Sequence, residues 1–220
     1  MFRFALSALV LSSFCVFASA QEYTPQWELY GGYQYTRIDT HAIQDLFNLE
    51  HALDPSVPLV NFGAHQGLNG WNFGGQENTN SWFGGVVDVS GSYGTKYFDT
   101  VSAGGISVSL RTRFHSYSFM AGPQFTLRRS PRIQPFGRAL FGGAWYSDSS
   151  NIVANNVPLL SEIKEHAEGF GLGGGGGVDF SFSSHLGMRV TVDYMRTFFF
   201  NDSQGNTRAT VGLVYKFGEK

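Results

Sequence analysis

The sequence is poor in cysteine, in charge and in long hydrophobic runs, and each shortage excludes a class of protein. Cys15 is the only cysteine, so a disulfide framework and a thiolate metal site are excluded. Only 15% of the residues are charged and the formal net charge is -2, so no basic stripe is available to neutralise nucleic-acid phosphates. Beyond the N-terminal leader, no segment approaches the roughly 18 consecutive apolar residues of a membrane-spanning helix.

The first residues have the features of a secretory signal peptide. Arg3 supplies a positive start, an apolar stretch follows, and Ala18-Ser19-Ala20 offers the small residues of a cleavage site. An N-terminal anchor helix is the alternative, but the apolar stretch is short for a membrane span. We therefore expect residues 1–20 to be a signal peptide and residues 21–220 to form a single domain.

Glycine and aromatic residues are abundant where charge is scarce. There are 28 glycines, and 16% of the residues are aromatic, which is unusual for a soluble domain. In a membrane β-barrel only alternate residues face lipid, so its strands lack long apolar runs. The composition therefore favours a barrel whose strands have one apolar and one polar face.

The clearest strand of this kind is Thr207–Phe217, near the end of the chain. Side chains alternate between the two faces of a strand. Its apolar face holds Ala209, Val211, Leu213, Tyr215 and Phe217, and its other face holds Arg208, Thr210, Gly212, Val214 and Lys216. The length fits the roughly 9–11 residues with which a tilted strand crosses a bilayer.

Eight segments can be read as strands, some with clear alternation and some broken by glycine. They are Trp27–Arg37, Leu68–Gln76, Ser81–Tyr93, Ser109–Leu127, Gln134–Tyr146, Gly169–Ser183, Leu186–Phe198 and Thr207–Phe217. An even number of antiparallel strands can close into a barrel that satisfies every backbone hydrogen bond. The sequence therefore predicts an all-β protein, an eight-stranded antiparallel transmembrane up-and-down β-barrel.

The connections between these segments alternate between long and short. Long connections follow the first, third and fifth strands, and Gly94–Val108 and Ser147–Glu168 are the polar loops predicted after the third and fifth. In outer-membrane barrels the short turns face the periplasm and the long loops face outward. This order predicts that both termini lie in the periplasm.

Aromatic residues gather toward the strand ends, which is typical of interfacial girdles. The predicted girdle residues are Trp27, Tyr35, Trp82, Tyr93, Trp145, Tyr146, Phe198 and Phe217. A soluble ligand-binding barrel of lipocalin type is the architectural alternative, since alternation alone does not distinguish inside from outside. The signal peptide, the aromatic strand ends and the charges on the polar faces favour the membrane barrel.

The polar faces carry charges of both signs. An eight-stranded lumen is just wide enough to be filled by side chains, and charges inside it must pair because an unpaired buried charge is costly. We expect Arg208 and Lys216 to lie at opposite ends of the lumen. The candidates for lumen ion pairs are Glu28, Asp88, Arg138, Arg189, Asp193, Arg208 and Lys216. A structural filling and a narrow pore lined by ion pairs are both open interpretations of this set.

Three further patterns point weakly to chemistry. The run Gly169–Gly177 contains a G-x-G-x-x-G match, but a dinucleotide site needs a helix after that turn, and here another strand pattern follows. The six histidines are scattered without the spacing of a zinc site. We therefore predict neither a cofactor nor a metal site.

His115, with Ser116 and Ser118 beside it, is the only trace of a hydrolase. Some eight-stranded outer-membrane barrels resemble the chain in size and remove acyl chains from lipid A with a His and a Ser on a membrane-facing strand. A nucleophilic serine needs a base within hydrogen-bond reach and an acid that orients the base. By alternation His115 and Ser116 point to opposite faces, and no acid can be placed. A lipid hydrolase is therefore a minor alternative to a protein without catalytic activity.

The segments WELYGGYQYTRI, FMAGPQF, PFGRALFGGAW, GFGLGGGGGVDF and TVGLVYKF together resemble the OmpA-like eight-stranded outer-membrane barrels over essentially the whole mature chain. The resemblance implies a Gram-negative outer-membrane protein with a structural or surface-interaction role. It also implies contact with outer-membrane lipid, lipopolysaccharide and the barrel-assembly machinery, and it leaves the surface ligand unidentified.

The end of the chain departs from that family in one respect. The last strand of these barrels usually ends in a terminal phenylalanine that the assembly machinery reads. Here Phe217 is followed by three more residues. Because the chain stops at the barrel, we expect no peptidoglycan-binding domain.

Overall fold

The computed structural model describes residues 24–55, 65–103, 106–154, 157–158, 163–198 and 203–219. The predicted signal peptide, residues 1–20, lies outside the described residues. Within the described part, eight long strands and one helix follow one another. They are β1 Pro25–Asp39, α1 His41–Leu53, β2 His65–Asn78, β3 Phe83–Ala103, β4 Ile106–Thr126, β5 Ile133–Ala154, β6 Ile163–Ser181, β7 Leu186–Phe198 and β8 Ser203–Glu219.

The strands form a closed antiparallel barrel. Each strand pairs with the next one in the chain, and β8 returns to pair with β1. In the pairing of β1 with β8 that closes the barrel, Trp27 lies opposite Phe217 and Tyr35 lies opposite Ala209. Residues Val157–Pro158 add a two-residue strand at the far end of β5. The predicted eight-stranded up-and-down barrel is confirmed, because every long strand has two hydrogen-bonded neighbours and no barrel edge is left open.

Side chains alternate between the lumen and the outer surface as the sequence predicts. In β8, Arg208 and Lys216 are buried inside, whereas Leu213 and Tyr215 lie on the outer surface with 58% and 51% exposure. In β8 both of these charges therefore face inward and most apolar side chains face outward, with Val214 as a buried apolar exception. This is the reverse of a soluble ligand-binding barrel, whose apolar face surrounds its ligand.

Most of the predicted girdle residues lie on the outer surface, although Tyr93 and Trp145 lie well inside β3 and β5 because these strands extend past them. The exposed ones are Trp27, Tyr35, Trp82, Tyr93, Trp145 and Phe198. Tyr146 is an exception, and its assignment to the girdle is wrong. Its hydroxyl accepts a hydrogen bond from Asn206 Nδ2 at 2.7 Å inside the barrel. The reason is the strand period, since Tyr146 follows outward-facing Trp145 directly and must face inward.

Two predicted loops are wrong, because the strands continue through much of them. β3 and β4 pair from Tyr93 opposite His115 as far as Thr100 opposite Val108, within the predicted loop Gly94–Val108. β5 and β6 likewise pair within Ser147–Glu168. The predicted boundaries followed the end of the clear apolar–polar alternation, whereas the backbone hydrogen bonds of both hairpins continue past it.

As a result, one half of the barrel is taller than the other. The four consecutive strands β3 to β6 have 19–22 residues, whereas β7, β8, β1 and β2 have 13–17. We call the end with these extensions the loop side. The opposite end, with the short connections 79–82, 127–132 and 182–185, is called the turn side.

The long connection after β1 contains the helix α1, which the sequence analysis did not predict. Its start is capped locally, since Asp39 Oδ1 accepts the backbone N–H of His41 at 2.9 Å and the N–H of Gln44 donates to the carbonyl of Thr40 at 3.1 Å. Among the described residues, no helix combines the length and apolar character needed to cross a membrane.

Candidate functional site: the charged lumen

The middle of the lumen holds a closed ring of four charges, which we call the middle ring: Asp88, Arg138, Asp193 and Arg208. Each arginine binds both carboxylates. Arg138 lies 3.2 Å from Asp88 and 2.7 Å from Asp193, and Arg208 lies 2.8 Å from each. All four side chains are buried, and two positive charges balance two negative ones.

Neutral side chains complete the bonding of the middle ring. The hydroxyl of Tyr30 donates to Asp88 Oδ2 at 2.9 Å and accepts from Arg138 Nη1 at 3.0 Å. Asn72 Nδ2 donates to Asp88 Oδ1 at 2.9 Å. Buried charges are tolerated when their remaining donors and acceptors are satisfied in this way. The ring is therefore a rigid bridge between strands on different sides of the barrel.

A second group of charges lies toward the turn side, and we call it the lower cluster: Glu28, Arg128, Asp179, Arg189 and Lys216. Glu28 joins Arg128 at 2.7 Å and Arg189 at 2.6 Å. Arg189 also binds both oxygens of Asp179, at 2.7 and 2.8 Å. Lys216 is 3.9 Å from Asp179. The guanidinium of Arg189 lies 4.6 Å from the ring centre of Tyr30, which connects the cluster to the middle ring.

The structure places all seven predicted ion-pair residues inside the lumen, and it distributes them over these two groups. Arg208 belongs to the middle ring, so the expectation that it lies at the end opposite Lys216 is wrong. The loop-side end of the lumen instead holds small polar residues and a buried apolar cluster of Ile38, Leu68 and Phe114. The two ion-pair groups thus lie in the middle and on the turn side. Among the described residues, Lys96 and Asp148 add charge on the inner face of the loop side, since they lie opposite the buried Thr112 and Phe114.

Sequence reasoning missed two members of the lower cluster. Asp179 lies directly opposite Arg189 in the β6–β7 hairpin, and a signal for it existed, since both residues are five positions from Ser184 in the intervening turn. Arg128 offered no such signal. It precedes β5 in a connection where strand alternation does not apply, and its side chain enters the lumen from there to reach Glu28.

The lumen is filled at the level of these charges. A cavity of about 30 Å³ lies on the loop side of the middle ring, between Arg208, Met120 and a set of serines and threonines. Another of about 10 Å³ lies beside Tyr30 and Arg189. Cavities of this size hold about one or two water molecules. The buried oxygens Gln34 Oε1 and Asn206 Oδ1, which have no protein partner, give water in the first cavity a place to bind.

The other sequence patterns do not assemble into a site. His115 lies on the outer surface, 5.6 Å from the ring of Tyr93, whereas Ser116 faces inward and Ser118 shares a 2.8 Å hydrogen bond with Ser90. The glycine run lies within β6 and is paired on both sides. Among the described residues, no group of three or more His, Cys, Asp or Glu is placed to hold a metal ion.

Comparison with known proteins agrees with the barrel fold described above. A family model described as "Outer membrane protein beta-barrel domain" matches residues 6–217. No curated protein sequence matches the chain. Among solved structures, the fold is similar to Ail, the attachment invasion locus protein of Yersinia pestis, at 13% identity and a TM-score of 0.56, covering 88% of this chain and 100% of that one.

Two further structures are similar to the chain. Ail in complex with the heparin analogue sucrose octasulfate gives 14% identity and a TM-score of 0.53, covering 90% of this chain and 100% of that one. OprG from Pseudomonas aeruginosa gives 13% identity and a TM-score of 0.47, with 89% and 97% covered. At such identities the similarity to Ail shows the fold alone.

Proposed function

The chain belongs to the outer membrane β-barrel domain family and is an outer-membrane protein, and from this premise we propose that it is a non-conducting barrel that presents its loop side for surface interaction. The observation that carries the proposal is the difference between a lumen closed by ion pairs and a wall of four strands that extends well past the girdle. The filled lumen leaves little room for transport, and the extended wall offers a surface for contact with a partner.

The lumen supports the anchoring part of this proposal. The middle ring and the lower cluster tie together strands that are distant in sequence, as Glu28 and Arg189 illustrate across the barrel closure. The middle ring, in which every charge is paired, is expected to rigidify the barrel. The buried charges therefore have a structural role in holding the barrel closed, and this role does not depend on transport of a solute through the lumen.

The extended wall supports the interaction part. Beyond Tyr93 opposite His115, the β3–β4 hairpin continues for at least seven further residue pairs, which corresponds to about 23 Å of strand. Hydrogen-bonded hairpins hold their exposed faces in fixed positions, so a partner would meet a preformed surface. We propose that the loop side faces outward and that both termini lie in the periplasm.

The girdles support the proposed membrane partners. Exposed aromatic side chains lie at two levels of the outer surface, with Trp27 and Trp82 toward the turn side and Tyr35 and Tyr93 toward the loop side. Such residues sit at the level of lipid headgroups. We propose phospholipid contact on the turn side and lipopolysaccharide contact on the loop side, after insertion by the barrel-assembly machinery.

A shortened hairpin tests the proposal. Residues 97–111 are replaced by Asn-Gly, which joins Lys96 to Thr112 through a two-residue turn that suits a hairpin. Cells displaying either protein are compared for attachment to bare and to heparin-coated surfaces. We expect the shortened protein to fold, as judged by heat-modifiable gel mobility, and to attach less. Equal attachment by both proteins would contradict the interaction role.

Orientation needs its own measurement. An epitope inserted between Gly104 and Gly105 should bind antibody on intact cells, whereas the same epitope inserted after Ser130, in the connection before β5, should bind only after the outer membrane is permeabilised. The reverse pattern would contradict the proposed orientation and with it the outward presentation of the tall wall.

A further inference from the structure

A cavity of about 320 Å³ opens on the turn side of the barrel. Its lining includes Arg132, Ser181, Ser183, Ser184 and Lys216. This volume is an order of magnitude larger than that of the cavity above the middle ring. The turn-side cavity is therefore large enough for a small ligand. Its lining is largely apolar, with Pro25, Pro131 and Phe182 beside these hydrogen-bond donors.

The charges next to this cavity do not balance. The lower cluster contains three cations, Arg128, Arg189 and Lys216, against two carboxylates. The oxygens of Glu28 and Asp179 are bound by the arginines at 2.6–2.8 Å, whereas Lys216 stays 3.9 Å from Asp179. The excess positive charge therefore falls on Lys216.

Lys216 is both buried and turned toward the cavity. Its exposure is 2%, and Nζ donates to two neutral atoms, Gln134 Oε1 at 2.7 Å and Ser181 Oγ at 3.1 Å. An ammonium group carries three N–H donors, so these two bonds leave one. A buried cation without a close counter-ion is costly, and an anion in the cavity would remove this cost.

Two serine hydroxyls at the cavity keep a proton to donate. Ser181 Oγ accepts from Lys216, and Ser183 Oγ accepts the backbone N–H groups of His185 and Leu186 at 3.3 and 3.1 Å. A hydroxyl that accepts hydrogen bonds retains its own O–H as a donor. Arg132 adds an exposed guanidinium to the same lining.

We propose that the turn-side cavity binds a phosphate group, with Lys216 as the buried charge, Ser181 and Ser183 as hydroxyl donors and Arg132 at the entrance. Donors carried by separate elements, β8, β6 and the two neighbouring turns, suit a tetrahedral oxyanion better than a planar carboxylate. The phosphate is either a free ion or the headgroup of a phospholipid, because both present the same oxygen atoms.

Calorimetric titration of the full barrel in a maltoside detergent tests the site. Inorganic phosphate and short-chain dihexanoyl phosphatidylglycerol are titrated separately and then in competition, at constant ionic strength. If the lipid binds and displaces phosphate, the source is a headgroup; if phosphate alone binds, the source is the free ion. Binding of neither overturns the proposal.

Three variants link the binding to the residues. Lys216→Gln should weaken it about tenfold, as expected for one charged hydrogen bond. Arg132→Gln should weaken phosphate binding by a smaller factor. Because Arg132 is exposed and outside the ion-pair groups, this variant provides the test if Lys216→Gln does not fold. Arg196→Gln removes the same charge near the loop side and should change nothing. Unchanged binding in Lys216→Gln and Arg132→Gln, or equal weakening in Arg196→Gln, overturns the proposal.

Discussion

Arg138 binds both carboxylate oxygens of Asp193, with Nε 3.0 Å from Oδ1 and Nη2 2.7 Å from Oδ2. The two residues belong to β5 and β7, which are separated by β6. At this level β6 contributes Gly175, which lies opposite Arg138 on one side and opposite Asp193 on the other. The glycine run therefore has a role in the lumen, since a residue without a side chain lets the ion pair form across its strand.

Adding a methyl group at position 175 should disrupt this arrangement. A Cβ atom there would lie 2.2 Å from the carbonyl oxygen of Val192 and 2.5 Å from Asp193 Oδ1. Neither backbone nor a paired carboxylate can yield cheaply, so we expect Gly175→Ala to lower the free energy of unfolding by roughly 1–3 kcal/mol, the usual cost of overpacking. Urea unfolding of the barrel in lipid vesicles measures this change.

The neighbouring glycine provides a matched control. A Cβ atom at Gly174 has as its nearest neighbour the carbonyl oxygen of Arg138, at 3.8 Å, which is an ordinary contact. Gly174→Ala should therefore change stability by less than about 1 kcal/mol. If the two alanine variants are equally destabilised, the steric explanation of the glycine run is wrong.

The middle ring predicts strong coupling between its members. Arg138→Met leaves Asp193 and Asp88 with one arginine between them, and breaking a buried pair in this way costs about 3–5 kcal/mol. Asp193→Leu leaves Arg138 and Arg208 with only one carboxylate, Asp88, between them. The double variant restores neutrality through Arg208 and Asp88, 2.8 Å apart, so its loss of unfolding free energy should be clearly smaller than the sum of the single losses. Additive losses would contradict a coupled ring.

Period-two alternation predicts most of the barrel because each membrane strand contacts lipid on one side and the lumen on the other. The same rule predicts that Asp88 and Arg138 face inward. It fails for the extended parts of β3 to β6, where the backbone pairing continues after the clear alternation in the sequence ends. It also fails for Arg128, whose side chain reaches Glu28 from a turn. Pairing partners across the closed barrel depend on register and shear, which local sequence does not encode.

The inward orientation of Tyr146, which the sequence analysis assigned to the girdle, can be tested by substitution. Tyr146→Phe removes the acceptor of the 2.7 Å hydrogen bond from Asn206 and leaves a buried amide less satisfied. We expect a loss of about 1 kcal/mol in the free energy of unfolding. Tyr215→Phe, on the outer surface with 51% exposure, should cost less. Equal effects would contradict the different environments of the two rings.

Planar-bilayer recording separates a closed anchor from a narrow pore lined by ion pairs. We expect the wild-type barrel to show no stable openings, since the middle ring and the lower cluster both fill the lumen. Asp88→Ala and Arg138→Ala should lower stability and still give no conductance, because the lower cluster and the apolar cluster of Ile38, Leu68 and Phe114 remain on either side of the altered ring. Openings whose size changes when either partner is replaced would show instead that the middle ring is a gate, and the non-conducting role would then be wrong.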